Sequence, residues 1–259
     1  MKILLTPFIT VYRLYFIFIF FFTLLIFYPI FWILLRTDKH YNIVFRVKVF
    51  TAKFMLFFQG IWHKKISKTD KLMDESYIIC VNHTSYLDII FLFTILNRHR
   101  FLYIGKKELA AWPIMGIFFR KLDISIDRKN PRQAVKALEI AKERLKQKWS
   151  IVIFPEGTIP KNVPKMGRFK NGAFKMAIET QKPILPITVL DNWKLLRTSP
   201  FLTAPARPGQ SRVIIHDPIS TIGMTQKDLV SLRDKTHAII NAPMIEHHST
   251  SIKDKLKNT

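Results

Sequence analysis

The stretch YIICVNHTSYLD, residues 77–88, joins an apolar run to a polar segment that carries a histidine and an aspartate. The run YIICV (77–81) is short and apolar, which is typical of a buried strand. His83 and Asp88 follow it, and on an ideal helix their spacing turns the two side chains about 140° apart. If His83 lies in the turn before a helix, the kink can bring the Asp88 carboxylate beneath the imidazole. That placement would suit general-base catalysis.

The same residues also fit a purely structural interpretation. Ser85 is a good helix N-cap, and Asp88 three residues later occupies the acidic position of a capping box. His83 would then be an ordinary turn residue. The spacing alone leaves both interpretations open, because a single short motif needs its structural context to confirm it.

From about residue 75 the chain alternates between short strand-like runs and helical patterns. We therefore predict an α/β domain over residues 66–245, with a largely parallel central sheet flanked by helices. In such sheets, sites gather at the carboxyl ends of the strands, where NHTSYLD and FPEGTI (154–159) both lie. The further strand-like runs are RFLYI (100–104), LDISI (122–126), SIVIF (150–154), ILPITVL (184–190) and RVIIH (212–216), and the helical patterns cover 131–148, 171–181 and 225–241.

The composition indicates the kind of partner that the chain binds. Its 259 residues include 41 Lys and Arg but only 18 Asp and Glu, a formal net charge of +23. Such an excess favours polyanions: nucleic acid, anionic lipid headgroups or phosphorylated ligands. Cys80 is the one cysteine, which excludes an intramolecular disulfide and a multi-cysteine metal site. Within an apolar strand it is expected to be a core residue rather than a nucleophile.

The N-terminal region, residues 1–65, is expected to bind a membrane. Residues 14–35 carry no charge, and a helix of 22 residues is long enough to cross a hydrocarbon core of about 30 Å. A cleaved signal peptide would have a shorter apolar region and a small-residue cleavage site, and neither is present. Pro29 leaves open whether the segment spans the bilayer or dips into one leaflet. Basic residues are more frequent after the segment than before it, which places the following domain in the cytoplasm.

Residues 43–62 combine a broad apolar surface with three basic residues and no acidic one. A helix of this kind can lie in the membrane interface, with its lysines reaching toward lipid phosphates. The alternative is a core helix with one solvated edge. At the other end of the chain, residues 246–259 are predicted to form a polar C-terminal tail.

Five blocks of the sequence resemble motifs of the glycerolipid acyltransferase family, the group that contains the 1-acylglycerol-3-phosphate acyltransferases. NHTSYLD (82–88) is similar to the NHx4D motif, and FPEGT (154–158) to the FPEGT(R) motif. The blocks occur in the expected order across residues 75–190, which is far more specific than any one of them. The other three are GKKEL (105–109), ISIDR (124–128) and ILPITV (184–189).

The resemblance implies transfer of a fatty acyl group from acyl-CoA or acyl carrier protein to the hydroxyl of lysophosphatidic acid, which forms phosphatidic acid. His83 would be the general base that activates the hydroxyl. Asp88 would hold the imidazole in the required tautomer and stabilise the imidazolium. No metal or redox cofactor is implied. The expected partners are anionic membrane lipids, lysophosphatidic acid and the acyl donor, and no nucleic acid.

The resemblance also implies a set of substrate-binding residues. Glu156, Gly157 and Thr158 would line the acceptor site, although Gly157 could merely make the turn and Thr158 could cap the next segment. Lys106 and Arg128 resemble the ligands of the acceptor phosphate. Position 159 departs from the family motif, because isoleucine stands where the family usually has arginine. A basic loop could compensate for that loss with four cations, Lys161, Lys165, Arg168 and Lys170.

Three other functions compete with an acyltransferase. A hydrolase would use a serine nucleophile, but the sequence has no GxSxG elbow, and Ser85 is better placed as a helix cap. A membrane-tethered nucleic-acid-binding protein would explain the charge, but neither zinc-finger spacing nor an RRM-like aromatic signature is present. A non-catalytic lipid-binding relative is disfavoured because both His83 and Asp88 are present.

Overall fold

The computed structural model describes residues 2–67, 72, 74–127, 130–200 and 204–257. In these residues, seven strands form one sheet. The strands are β1 (Ile61–Ser67), β2 (Ile78–Val81), β3 (Phe101–Lys106), β4 (Ile124–Ile126), β5 (Ser150–Ile153), β6 (Ile184–Val189) and β7 (Gly209–Ile215). Their order across the sheet is β1-β7-β6-β2-β5-β3-β4.

The sheet is mostly parallel, as the sequence predicts. In the centre, β2 pairs in parallel with both β5 and β6, and β3 pairs in parallel with β4 and β5. The pair β6 and β7 is antiparallel, and β1 runs parallel to β7 at the edge. Every residue of β2 and β6 is buried, because helices cover both faces of a parallel sheet and the strands read as continuous apolar runs.

Eight helices accompany the strands in the described residues and flank the sheet. The helix α5 begins as expected: the Asn130 side chain accepts a hydrogen bond from the Arg132 amide, and Pro131 occupies the first turn. The helices are α1 (Lys2–Leu34), α2 (Tyr41–Phe58), α3 (Leu87–Ile95), α4 (Gly116–Lys121), α5 (Pro131–Lys146), α6 (Gly172–Thr180), α7 (Asn192–Leu195) and α8 (Leu229–Lys257), with short 3-10 turns at Asp38–His40, Lys107–Ala111 and Gln226–Asp228.

The predicted amphipathic helix over 43–62 is too long at its C-terminal end. The helix α2 ends at Phe58, and Gly60 follows with a φ of 63°, a left-handed conformation that glycine adopts without strain. The strand β1 then starts at Ile61, so the expected boundary between residues 65 and 66 falls inside a strand of the sheet.

The C-terminal helix is longer than predicted. The helix α8 continues through Pro243 to Lys257, although the sequence pattern indicated a helix only to 241 and a loose tail from 246. A proline removes one intrahelical hydrogen bond and usually kinks a helix. Packing on both sides of this position offsets that loss, because Ile240 and Met244 are buried and His247 bonds to the sheet side of the molecule.

The two N-terminal helices pack on the α/β domain. Phe16 and Phe31 of α1 and Phe45 of α2 belong to the same buried cluster as the strand residues. The Phe31 ring lies 4.8 Å from the ring of Phe118 in α4. One helix, Pro7–Leu34, is long and apolar enough to cross a membrane, and little of it is buried within the protein.

Candidate active site

The end of β2 is fastened to the end of β6 by one side chain. Asn82 directly follows β2 and is fully buried. Its Oδ1 accepts a hydrogen bond of 2.8 Å from the Val189 amide, and its Nδ2 donates one of 3.0 Å to the Val189 carbonyl. These two bonds extend the pairing of the strands by one residue and fix the position at which His83 leaves the sheet.

His83 and Asp88 meet, as the sequence predicts for a turn before a helix. The imidazole Nδ1 lies 3.0 Å from Asp88 Oδ2. The same Oδ2 accepts hydrogen bonds from the amides of Thr84, at 2.7 Å, and Ser85, at 2.9 Å. Asp88 therefore caps the turn before α3 and also contacts the imidazole, so the geometry fits the structural interpretation and is compatible with the catalytic one.

The other imidazole nitrogen is available for chemistry. In the described part of the chain, His83 Nε2 makes no hydrogen bond. The His83 side chain is 12% exposed, whereas that of Asp88 is completely buried. A carboxylate on Nδ1 holds the neutral ring in the tautomer whose Nε2 is an acceptor. His83 is thus arranged to take a proton from a substrate.

The second oxygen of Asp88 is held from another element. Asn192, the first residue of α7, donates a hydrogen bond of 2.7 Å from Nδ2 to Asp88 Oδ1. Thr84 Oγ1 is more distant from the same oxygen, at 3.5 Å. Both carboxylate oxygens are therefore engaged, and the carboxylate has one orientation relative to the imidazole.

Glu156 holds the backbone of the histidine turn, and each of its carboxylate oxygens accepts a backbone hydrogen bond. Its Oε1 accepts a hydrogen bond of 2.8 Å from the His83 amide, and its Oε2 accepts one of 2.6 Å from the Gly167 amide. Burial raises the pKa of Glu156 to about 7, although the two amide hydrogen bonds favour the charged form, and nearby Asp88 raises it further. Glu156 joins three loops: those that follow β2 and β5, and the loop before α6.

The His83 ring packs face to face on Phe154, with ring centroids 4.0 Å apart and an interplanar angle of 18°. Phe154 directly follows β5 and stacks in turn near Tyr103 of β3, at 6.2 Å. An apolar wall on one face of the imidazole limits its rotation. It also leaves the ring edge as the direction from which a substrate hydroxyl can approach Nε2.

Ser85 serves the helix cap. Its hydroxyl accepts a hydrogen bond of 3.1 Å from the Leu87 amide and donates one of 2.6 Å to the Leu196 carbonyl. The residue is fully buried. The Ser85 hydroxyl is therefore occupied by the helix cap, as expected from the sequence, rather than directed at His83. Cys80 is buried in β2, and burial raises the pKa of its thiol, so it is a core residue as expected.

The FPEGT segment turns away from β5 at Gly157. Its φ is 78°, and its amide donates a hydrogen bond of 2.9 Å to the Phe154 carbonyl. Gly157 therefore makes the turn, whatever else it does. Thr158 is exposed and Ile159 is half-buried.

The expected phosphate ligands are only partly described. Lys106 ends β3 and is exposed. Because β5 lies between β2 and β3, the ends of these two strands are about 10 Å apart, at about 4.8 Å per strand spacing. Arg128 lies outside the described residues. The four cations of the basic loop, Lys161, Lys165, Arg168 and Lys170, are all exposed.

Sequence reasoning missed several residues that build the site. Asn192 was not singled out, although it closely follows β6 at the carboxyl edge of the sheet, where sites gather. Phe154 could have been found as the aromatic residue next to the motif glutamate. Gly167 had no local signal, because its amide contributes through the backbone. Among the described residues, no group of His, Cys, Asp or Glu is arranged to hold a metal ion.

Residues 63–190 match the family model named Acyltransferase. This segment of the chain belongs to the acyltransferase family. A chloroplastic 1-acyl-sn-glycerol-3-phosphate acyltransferase of Brassica napus is 33% identical over 147 residues, which cover 56% of this chain and 41% of that protein. The alpha form of this enzyme in Mus musculus is 33% identical over 172 residues, or 62% of this chain and 55% of the relative.

A bacterial relative matches a similar share of the chain. The 1-acyl-sn-glycerol-3-phosphate acyltransferase of Helicobacter pylori is 36% identical over 131 residues, which cover 50% of this chain and 55% of that protein. The chain thus spans about half the length of these curated relatives. The crystal structure of the acyltransferase PlsC from Thermotoga maritima superimposes with a TM-score of 0.68 over 96% of this chain and 98% of that chain, at 22% identity. At this identity the likeness shows the fold, including its N-terminal helices.

Proposed function

We propose that the protein transfers a fatty acyl group from an acyl thioester to the free hydroxyl of 1-acylglycerol-3-phosphate, forming phosphatidic acid. The observation that carries the proposal is the His83 imidazole, with Nδ1 on the buried Asp88 carboxylate and Nε2 unbonded within the described residues. The acyl donor is acyl-CoA or acyl carrier protein. The activity in the names of the similar proteins supports this choice of acceptor.

The reaction follows from the geometry. His83 Nε2 accepts the proton of the acceptor hydroxyl as its oxygen attacks the thioester carbonyl. The tetrahedral intermediate expels the thiolate, which takes the proton back from the imidazolium, so the products are an ester and a thiol. Asp88 stabilises the imidazolium in between. No covalent enzyme intermediate is required, in agreement with the engaged hydroxyl of Ser85.

Replacing His83 by alanine tests the chemistry. We expect turnover to fall by about 10²–10⁴-fold, the usual contribution of a positioned general base, with an unchanged melting temperature. Purified enzyme is assayed with a panel of lysolipids and both donor types, and products are identified by mass. His63→Ala, at an exposed position on β1, is the control and should remain active. Near-normal turnover in His83→Ala would refute the mechanism.

We further propose that Lys106 and Arg128 hold the acceptor phosphate, with help from the basic loop. Lys106 is exposed at the carboxyl edge of the sheet, two strand positions from β2, so its side chain can reach a phosphate whose glycerol hydroxyl lies at His83. The loop cations compensate for Ile159, since this side chain cannot donate to a phosphate.

The phosphate assignment predicts selective kinetic losses. Lys106→Ala should lower kcat/KM for lysophosphatidic acid by about thirtyfold or more, because a paired charge is lost. Single changes among the four loop cations should have smaller, partly redundant effects. Lys148→Ala is a matched control. Lys148 is exposed and pairs with Asp74, and both residues lie near the amino ends of the strands, on the side of the sheet opposite to the candidate site. Faster acylation of an uncharged lysolipid by the wild type would instead indicate that Ile159 marks a changed acceptor.

We propose that the protein binds the cytoplasmic leaflet without crossing the bilayer. Arg13, near one end of α1, donates to the carbonyls of Arg197 and Ala204, and Phe31, near the other end, packs on Phe118. These positions are about 27 Å apart along a helix. A helix held by one domain over that length lies along the domain. Its exposed apolar side chains then enter one leaflet, among them Phe8, Val11, Leu14, Phe18, Phe22, Leu25, Ile26 and Ile33.

A further inference from the structure

We propose that Asn192 is a positioning residue, whose amide fixes the Asp88 carboxylate so that one oxygen faces the His83 imidazole. The inference rests on the proposed role of His83 as the general base. Asn192 does not touch the substrate in this assignment. It acts through Asp88, and the three side chains form a relay of contacts from α7 to the imidazole.

The Asn192 amide has one chemically sensible orientation. The residue is fully buried, and a side-chain atom lies 2.7 Å from Asp88 Oδ1. A carboxylate oxygen accepts hydrogen bonds only, so the atom that faces it is the NH2 group. The amide oxygen is then buried with no hydrogen-bond partner among the described residues. An unsatisfied buried carbonyl is unfavourable, and a leucine of similar volume would avoid it. A leucine, however, could not donate the hydrogen bond that Asn192 makes to Asp88.

The backbone of Asn192 is held from both sides. Asp191 precedes it and forms hydrogen bonds of 2.8 and 3.0 Å with the Arg212 guanidinium in β7. At the other end of α7, the Leu196 carbonyl accepts the hydroxyl hydrogen of Ser85, from the same turn as His83. The short helix therefore cannot shift relative to the histidine turn, and the Asn192 amide meets Asp88 in a fixed position.

The amide has two effects on the pair. It opposes rotation of the carboxylate about its Cβ–Cγ bond, which would move Oδ2 away from the imidazole, and so adds to the two amide hydrogen bonds that already hold Oδ2. It also shares the negative charge, since a carboxylate with fewer hydrogen-bond donors binds a proton more strongly. Without Asn192, the pair should bind its proton more tightly and the acid limb of the pH profile should move to higher pH. The other ionisable groups that face Asp88 are Glu156 after β5 and Tyr103 on β3.

The test compares Asn192→Leu, Asn192→Asp and the control Ser211→Ala in full-length enzyme assayed with lysophosphatidic acid and acyl-CoA. Ser211 is equally buried, and its hydroxyl oxygen likewise has no hydrogen-bond partner in the part of the chain that the structure describes, but it lies on β7. For Asn192→Leu we expect kcat to fall about tenfold to a hundredfold, the effect of one lost hydrogen bond to a charged group. KM for the acceptor should stay within about twofold. Asn192→Asp should lose more at pH 8 than at pH 6, because its carboxylate can donate to Asp88 only when protonated.

A merely structural asparagine would give a different result. It would lower the melting temperature and the amount of folded enzyme, with turnover per folded molecule and the pH profile as in Ser211→Ala, and this result would overturn the proposal. If Asn192→Leu does not fold, Asn192→Ser takes its place with the same criteria. NMR of labelled histidine follows the protonation of His83 directly. It therefore distinguishes an effect of Asn192 on His83 from an effect on Glu156. His83→Ala is measured in parallel, so that its retained activity would identify a failure of the proposed mechanism itself.

Discussion

Glu156 organises the candidate site through the backbone, because its two carboxylate oxygens hold two different loops. The family resemblance implies an acceptor-binding role, but each of its oxygens accepts a backbone amide hydrogen, from His83 and from Gly167. Its pKa of about 7 results first from burial. A charged group that is buried in this way lowers stability when it ionises, whereas its hydrogen bonds are best made in the ionised form.

Exchange of Glu156 for glutamine should impair the site, because a glutamine side chain offers one acceptor oxygen and turns its NH2 toward the other amide. We expect at least a tenfold loss of kcat. The stability of the wild type should fall as the pH rises between about 4.5 and 7, since the unfolded state releases the Glu156 proton first.

Denaturant unfolding at pH 5 and pH 8 checks the linkage. The part of the stability change that Glu156 causes should be absent in the glutamine variant. An identical pH dependence in both proteins would show that Glu156 is ionised throughout this range, and the assigned pKa would then be wrong.

At the scale of elements, local pattern was sufficient for the buried strands and for the edge strand β4, but insufficient for the other edge strand, β1. The runs that became β2, β5 and β6 are continuous and apolar, so burial on both faces can be read from them. The strand β1 was missed because IWHKKIS has exposed side chains at most positions and forms only by pairing with the distant β7. The pairing of His83 with Asp88 was predicted because it is local, whereas Asn192 reaches Asp88 from a distant part of the chain.

The C-terminal half of α8 is held by a cluster that the sequence could not reveal. Asp191 lies 2.9 Å from His247 of α8 and 2.8 Å from Arg212 of β7. Burial alone would raise the pKa of Asp191, but hydrogen bonds from Arg212 and His247 and the charges of Arg212 and Lys194 lower it to about 2. The ionised aspartate therefore stabilises the fold.

Asp191→Asn should destabilise the protein by about 2–4 kcal/mol at pH 7, because Arg212 loses its buried partner. The pKa of Asp191 falls from 3.8 to about 2 on folding, so its contribution is complete above pH 4 and is lost as the pH falls toward 2. Urea titrations at pH 7 and pH 3 measure the difference in the free energy of unfolding between the variant and the wild type. This difference should be smaller at pH 3. Asp217→Asn, at an exposed position, is the control. If Asp191→Asn loses no more free energy of unfolding at pH 7 than this control, the stabilising role of Asp191 is contradicted.

For the whole molecule, the N-terminal helices are part of the folded domain rather than a detachable anchor. Removal of α1 would expose the cluster that Phe16 and Phe31 cover, so a truncated protein cannot report on membrane binding alone. Cysteine labelling of the full-length protein is more informative. Cys80 is buried, so a single introduced cysteine would be the accessible thiol.

Phe8→Cys tests whether the protein lies on one leaflet. Phe8 is 75% exposed near the start of α1. If α1 lies along the domain with Phe8 in the cytoplasmic leaflet, a membrane-impermeant maleimide should label this cysteine in detergent-lysed cells, where lipid no longer covers it, but not in intact cells. An engineered cysteine at Asp217 in the α/β domain is the control for the cytoplasmic side. Labelling of Phe8→Cys in intact cells would show that the helix crosses the bilayer.

The pairing of β1 with β7 gives synthesis of this chain a particular timing. The anchor helices and β1 leave the ribosome first, but β7 follows only after residues 68–208 have been made. At about 5–20 residues per second this interval lasts about 7–30 s. During that time the nascent chain exposes the unpaired edge of β1, with Trp62 and Ile66, directly after the helices α1 and α2. If α1 and α2 bind the membrane as proposed, their early attachment to lipid would keep this edge away from other nascent chains.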